Sequence, residues 1–123
     1  MAGVSRVEGP RMGFGTAAAA TARYLRVILN ASGQWAIAGD VEHDGECDTE
    51  NVAALGDEMI VYYKGAPGTH IYVASKAIAV GDICHSVAGG KVTDGAGVAD
   101  VCRAVTAAAA DGDYFEGIPM VQA

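Results

Sequence analysis

The sequence predicts a mainly β protein: a single small antiparallel β-barrel or sandwich over residues 23–123, behind an irregular N-terminal arm over residues 1–22. Three observations carry this. The apolar runs are short and bounded by glycine and aspartate, which suits strands better than helices. The best runs, Met59–Lys64 (MIVYYK) and Thr69–Ser75 (THIYVAS), are rich in β-branched and aromatic residues. A Gly-Asp step also recurs ahead of apolar runs, at Gly39-Asp40, Gly56-Asp57, Gly81-Asp82 and Gly112-Asp113. Glycine permits the bend, and the carboxylate can accept from backbone N–H groups just beyond it. The successive intervals of 17, 25 and 31 residues read as a repeated local device without a fixed period.

Taken in order, residues 1–22 are expected to be arm-like, because Gly3, Gly9-Pro10, Gly13 and Gly15 interrupt any regular element. Four alanines at Ala17–Ala20 are too few to nucleate a helix. Arg23–Asn30 (RYLRVILN) is the first strand, and Gln34–Ala38 returns as its hairpin partner across Asn30-Ala31-Ser32-Gly33. Trp35, the single tryptophan, is a core or rim anchor. Carboxylates then fall on alternate residues from Asp40 to Glu50, which predicts a solvated loop or a charge-protected edge. Gly65-Ala66-Pro67-Gly68 is a turn between the two best strands. In the closing third, Val101–Thr106 and Asp113–Met120 pair antiparallel around the Asp111-Gly112-Asp113 turn, giving seven to nine strands in all.

Composition narrows the function classes. A chain of 123 residues buries about two-thirds of its unfolded surface in one domain. Its apolar content is mostly alanine and valine, so oligomer contacts are expected to supplement the core. A net charge of −7 argues against nucleic acid as a partner. That charge divides as +3 over residues 1–39, −8 over 40–58 and −2 over the remainder, a basic arm ahead of an acidic belt. Three cysteines without paired spacing fit a reducing compartment. The stretch Met12–Ala22 is too weakly apolar for a signal-peptide core, and no segment reaches the length of a membrane span.

The candidate sites are few. Asp40-x-Glu42-x-Asp44-Gly45 matches the first half of a calcium loop, but its twelfth position is Asn51 and not the bidentate glutamate. A calcium-dependent binding module using residues 40–50 is the alternative reading. His43 with Cys47, and Cys84 beside His85, lack zinc-site spacing. A Cys/His nucleophile from Cys47, Cys84 or Cys102 with His70 or His85 would have to assemble in space, and no nucleophile elbow or phosphate loop is present. No enzyme signature emerges, and no cofactor is expected.

One resemblance adds to this. Ala77–Ile118, with its GDICHSVAGGKV segment and its closing RAVTAAAADGDYFEGIP, resembles the capsid decoration (cement) proteins of tailed bacteriophages. Members of that group finish on a valine/alanine strand, alanines, Ala-Asp-Gly-Asp and an apolar strand. The likeness covers the C-terminal third to half of the chain; the segment before Val61 does not share it. It implies a small β-barrel or β-tulip and a structural virion protein without enzymatic activity. Its place would be the outer capsid surface after synthesis in the host cytoplasm. Its partner would be the phage major capsid protein, with a homo-oligomer, a trimer favoured, and neither nucleic acid nor membrane bound. The basic, glycine-broken arm from Val4 to Arg26 would then order on docking, with Arg6, Arg11, Met12, Phe14 and Arg23 as contact residues.

Overall fold

The computed structural model describes residues 12–120, and the chain is mainly β. Twelve strands appear among the described residues, more than the seven to nine expected. They are β1 Met12–Thr16, β2 Thr21–Ala22, β3 Arg26–Leu29, β4 Trp35–Ile37, β5 Gly45–Cys47 and β6 Asn51–Val52. There follow β7 Glu58–Tyr63, β8 His70–Val73, β9 Ile83–Ser86, β10 Val92–Thr93, β11 Asp100–Ala104 and β12 Tyr114–Pro119. Among the described residues a 3-10 turn at Ala88–Gly90 is the sole helical piece, and no helix there is long and apolar enough to cross a membrane.

Ten of these strands form two antiparallel five-stranded sheets with one topology, and β2 pairs with β6 in a separate two-stranded sheet. The first runs β1-β7-β5-β3-β4 and the second β8-β12-β11-β9-β10. Each strand of the first sheet has its counterpart in the second at an offset of 57 residues, closing to 56 late in each half. Ala17 bridges Trp35 as Ala74 bridges Val92. Gly45 faces Val27 as Cys102 faces Cys84. The β2–β6 pair Thr21–Val52 answers to the Ile78–Ala108 bridge. In each half one aspartate caps a turn: Asp57 Oδ2 accepts from Ala53 and Ala54 N–H, and Asp113 Oδ2 from Ala109 and Ala110 N–H. The Gly-Asp steps at 56–57 and 112–113 are thus one element used twice. The chain is a tandem duplication, where the sequence reading found no fixed period.

Each half has its own core. The first comprises Ala17, Val27, Trp35, Cys47, Val52, Met59 and Val61. The second comprises Tyr72, Ala74, Ile78, Cys84, Val92, Val101, Cys102, Ala104, Ala108 and Phe115. Burial of a large member such as Met59 or Phe115 contributes roughly 1.5–3 kcal/mol. The halves fill equivalent space with different residues. Gly15 leaves room for the Trp35 ring, since a Cβ there would stand 2.5 Å from Trp35 Nε1. The equivalent pair in the second half is Tyr72 with Val92, the large residue having changed strands. Likewise a Cβ on Gly45 would stand 2.6 Å from Val61, whereas at the equivalent positions Cys102 holds the side chain and a Cβ on Gly117 would stand 2.8 Å from its Sγ.

Several expectations are corrected here. The irregular arm over 1–22 does not hold for its described part, because Met12–Thr16 pairs in register with Glu58–Tyr62 and Thr21–Ala22 pairs with Asn51–Val52. The two glycines that suggested irregularity are where Tyr63 and Trp35 lie against β1. The boundary at residue 22/23 therefore falls inside the first half. Residues 1–11 lie outside the described residues. The strand expected from Arg23 is β3 and begins at Arg26, after a turn in which Tyr24 takes φ 71°. The acidic stretch is neither wholly loop nor edge: Gly45–Cys47 is the central strand of the first sheet.

Candidate functional site

The two halves meet along one cross-strand row of the first sheet, Tyr62 on β7, Glu46 on β5 and Arg26 on β3. Backbone alternation puts all three on the face opposite the Cys47, Val27 and Val61 core. Each then meets the second half. His70, first residue of β8, stands 4.7 Å from the Tyr62 ring and places Nδ1 2.5 Å from Glu46 Oε1. Arg26 donates to the carbonyls of Val87 and Lys91, at the β9–β10 turn, and to those of Gly39 and Val41, at 2.7–3.1 Å. Gly90 at that turn packs against Arg26, Leu25 and Ile37 closely enough that a Cβ would be crowded.

Arg26 is fully buried without a hydrogen-bonded carboxylate. Burial lowers its pKa to about 10, against the opposing pull of Glu46 across the sheet. It remains a cation at neutral pH, held by four carbonyls. This corrects the expectation that the arm through Arg26 orders only on docking: Arg26 already clamps the seam.

Glu46 accepts two histidines. His43 Nε2 lies 3.0 Å from Glu46 Oε2, while His70 uses Nδ1 on Glu46 and donates Nε2–H to the Ala66 carbonyl at 2.9 Å. Because a carbonyl only accepts, His70 Nε2 carries a proton. The remaining proton then sits on His70 Nδ1 or on the Glu46 carboxyl. Burial pushes the Glu46 pKa up, but the bonds from His43 and His70 outweigh it and hold the group below the ordinary carboxylate value. Burial pushes His70 down, but its bond to Glu46 wins and the net shift is upward. For His43 burial prevails over Glu46, and its pKa falls. Within the cluster Glu46 favours the ionised form, His70 the protonated form and His43 the neutral form, and the His43 Nδ1 is buried without a hydrogen-bond partner among the described residues. The sequence places Glu46 in a solvated loop or charged edge, weighs His43 with Cys47 as metal ligands and weighs His70 as a partner for a cysteine nucleophile, and does not join the three. The signal available was His70, a titratable side chain at the head of a strand otherwise rich in apolar residues.

Beside this cluster lies a cavity of about 260 Å³, lined by residues of both halves that include Met12, Tyr24, Asp48, Tyr62, Thr69 and Ile71. Of the expected contact residues, Met12 and Phe14 point outward from β1, 49% and 83% exposed, on a strand at the sheet edge. Arg23 lies across the same cavity, 3.3 Å from Asp48 and over the Tyr24 ring at 4.9 Å. Met12 and Arg23 are therefore brought to one neighbourhood. Arg6 and Arg11 lie outside the described residues.

The acidic stretch is largely engaged by the protein itself. Glu42 pairs with Lys64, Asp44 accepts from Leu29 N–H, Glu46 holds the histidines and Asp48 meets Arg23. The described residues hold no group of three or more His, Cys, Asp or Glu that could bind a metal ion. Nor do the described contacts assemble a Cys/His pair. His70 spends both nitrogens on Glu46 and Ala66, His85 pairs with Asp100, and the Cys47 and Cys84 thiols bond the carbonyls of Thr49 and Asp82. Burial raises the Cys47 pKa, so it is no activated nucleophile.

No protein-family model matches the chain, and a search of curated proteins finds no relative.

Proposed function

We propose that this is a non-enzymatic structural virion protein that decorates a tailed-phage head. It binds the outer surface and stabilises contacts between major capsid subunits. The observation that supports this reading is the β1 edge: Phe14 is 83% exposed beside Met12, on a strand with one free side. A large aromatic kept in water on an edge strand is a liability that function must justify. The resemblance of Ala77–Ile118 to decoration proteins supplies the identity of the partner. Many weak, equivalent contacts over a shell then act additively, through multivalency.

Co-sedimentation with undecorated mature heads of the cognate phage tests this. The expected result is saturation at a fixed ratio to the major capsid protein, with Phe14→Asp reducing binding at least tenfold. Absence of binding at low and moderate salt overturns the reading.

A further inference from the structure

The seam between the halves is a head-to-tail contact: the face of one repeat receives the hairpin turn of the next. The receiving row is Tyr62, Glu46 and Arg26 in the first half. Its equivalent in the second half is Ile118, Arg103 and Ile83, aligned across β12, β11 and β9 in the same register. In the first half Glu46 and Arg26 are sealed under the second half. In the second half Ile118 is 52% and Ile83 38% exposed, with Arg103 exposed between them and Tyr114 on the same face of β12. The inserting element has a free counterpart too. Gly90 of the β9–β10 turn packs on Arg26, Leu25 and Ile37, whereas its equivalent Gly33, in the β3–β4 turn, has nothing within 4 Å of a built Cβ. Leu29, Ala31 and Ser32 around that turn are all exposed.

One interface is thus made once inside the chain, while both of its unused complements lie open, one on each half. We propose that a second copy of this chain seats its β3–β4 turn, residues 30–34, on the Ile83–Arg103–Ile118 row, continuing the internal seam from copy to copy. The side chains have diverged: the exposed row has exchanged the charged pair Arg26 and Glu46 for apolar flanks around a single arginine. The contact between copies is accordingly more apolar than the internal one. Such a contact is heterologous, so copies close into a ring or extend in a line, and a two-fold dimer through one patch is not its product. The proposal stands whether or not the oligomer binds a capsid.

Sedimentation equilibrium of the full chain tests it, at roughly 0.1 mM, where a micromolar contact is filled. The expected mass is a multiple of 12.5 kDa. Ile118→Glu, which spoils the receiving face, and Ser32→Arg, which spoils the turn, each reduce it to the monomer. Mixing those two variants restores one intact contact and yields a 1:1 dimer that grows no further. Both positions are exposed, and unchanged circular dichroism identifies folded variants; Ile83→Glu replaces Ile118→Glu, and Ala31→Arg replaces Ser32→Arg, where either misfolds. A monomeric wild type, an Ile118→Glu protein that keeps the wild-type mass, or a mixture that stays monomeric overturns the proposal.

Discussion

Glu46 of the first half and His70 of the second stand 2.5 Å apart in the seam, a directly bonded side-chain pair between the two repeats. With His43 and Arg26 around it, this pair ties the stability of the molecule to pH and to the integrity of its partners.

The signs follow from the shifts. His70, raised above its ordinary 6.5, contributes stability that is fully present below that value and is lost as pH rises through the folded-state pKa. Glu46, lowered from 4.5, contributes stability that is present above 4.5 and is lost as pH falls through its folded-state pKa. His43, lowered from 6.5, loses its contribution as pH falls from 6.5, because the unfolded chain then binds the extra proton. The two histidines oppose one another across neutrality, so Tm is expected to be flattest there, with an acid and an alkaline decline. In His70→Gln the alkaline decline becomes shallower, measured by thermal melts from acid to alkaline pH. Parallel alkaline limbs for the two proteins contradict the ion-pair assignment.

Removing one partner of a buried pair leaves the other uncompensated. Glu46→Ala is expected to cost roughly 3–5 kcal/mol in urea unfolding at neutral pH. Arg26→Lys keeps the charge but cannot reach four carbonyls with one ammonium, and costs at least about 2 kcal/mol. Losses below about 0.5 kcal/mol for both would mean that the seam contributes little.

The exchanged volumes of the two cores predict coupling between positions. Gly15→Ala alone drives a methyl into Trp35 and costs roughly 1–3 kcal/mol. Trp35→Val alone leaves a cavity and costs roughly 3–5 kcal/mol. Combined, they approach the Tyr72–Val92 arrangement of the second half, and the double variant is expected to lose about 0.5–3 kcal/mol less than the sum. Strict additivity in urea melts would show that the two sites do not share space.

Calcium is expected to leave the melting temperature unchanged, because four of the six alternating carboxylates are bonded within the protein. A specific site would raise Tm with added ion by mass action. Such a rise, reversed by chelator, would revive the cation-dependent module.

Much of the fold was legible in the sequence, and the parts that were not have physical reasons. The hairpin β3–β4 and the β11–β12 pair stood out because apolar runs flank turn residues that admit only a few backbone geometries. β1 was hidden because its glycines are shaped by Tyr63 and Trp35, contacts distant in sequence. The duplication was hidden because compensating swaps such as Gly15/Trp35 for Tyr72/Val92 preserve volume while erasing identity. Its remaining trace, Ala53-Ala54-Leu55-Gly56-Asp57 against Ala109-Ala110-Asp111-Gly112-Asp113, emerges by comparing alternate Gly-Asp steps rather than successive ones. The buried Glu46 was unreadable because six carboxylates in alternation look alike until folding assigns each a different neighbour. The alignment of Ile83, Arg103 and Ile118 on one face was hidden because it required knowing the register.

The short connection from Lys64 to Thr69, between β7 and β8, makes one polypeptide of what is otherwise a pair of unlike subunits. A tether of that length holds its ends at an effective concentration on the order of millimolar. A seam held by the Glu46–His70 pair and by Arg26 on the Val87 and Lys91 carbonyls therefore never has to find its partner by diffusion, and can be much weaker than an interface between free molecules. Cutting the chain at Gly65 or Gly68 turns an intramolecular equilibrium into a dilution-sensitive one. The same sheet contacts would then survive in concentrated solution and come apart when diluted.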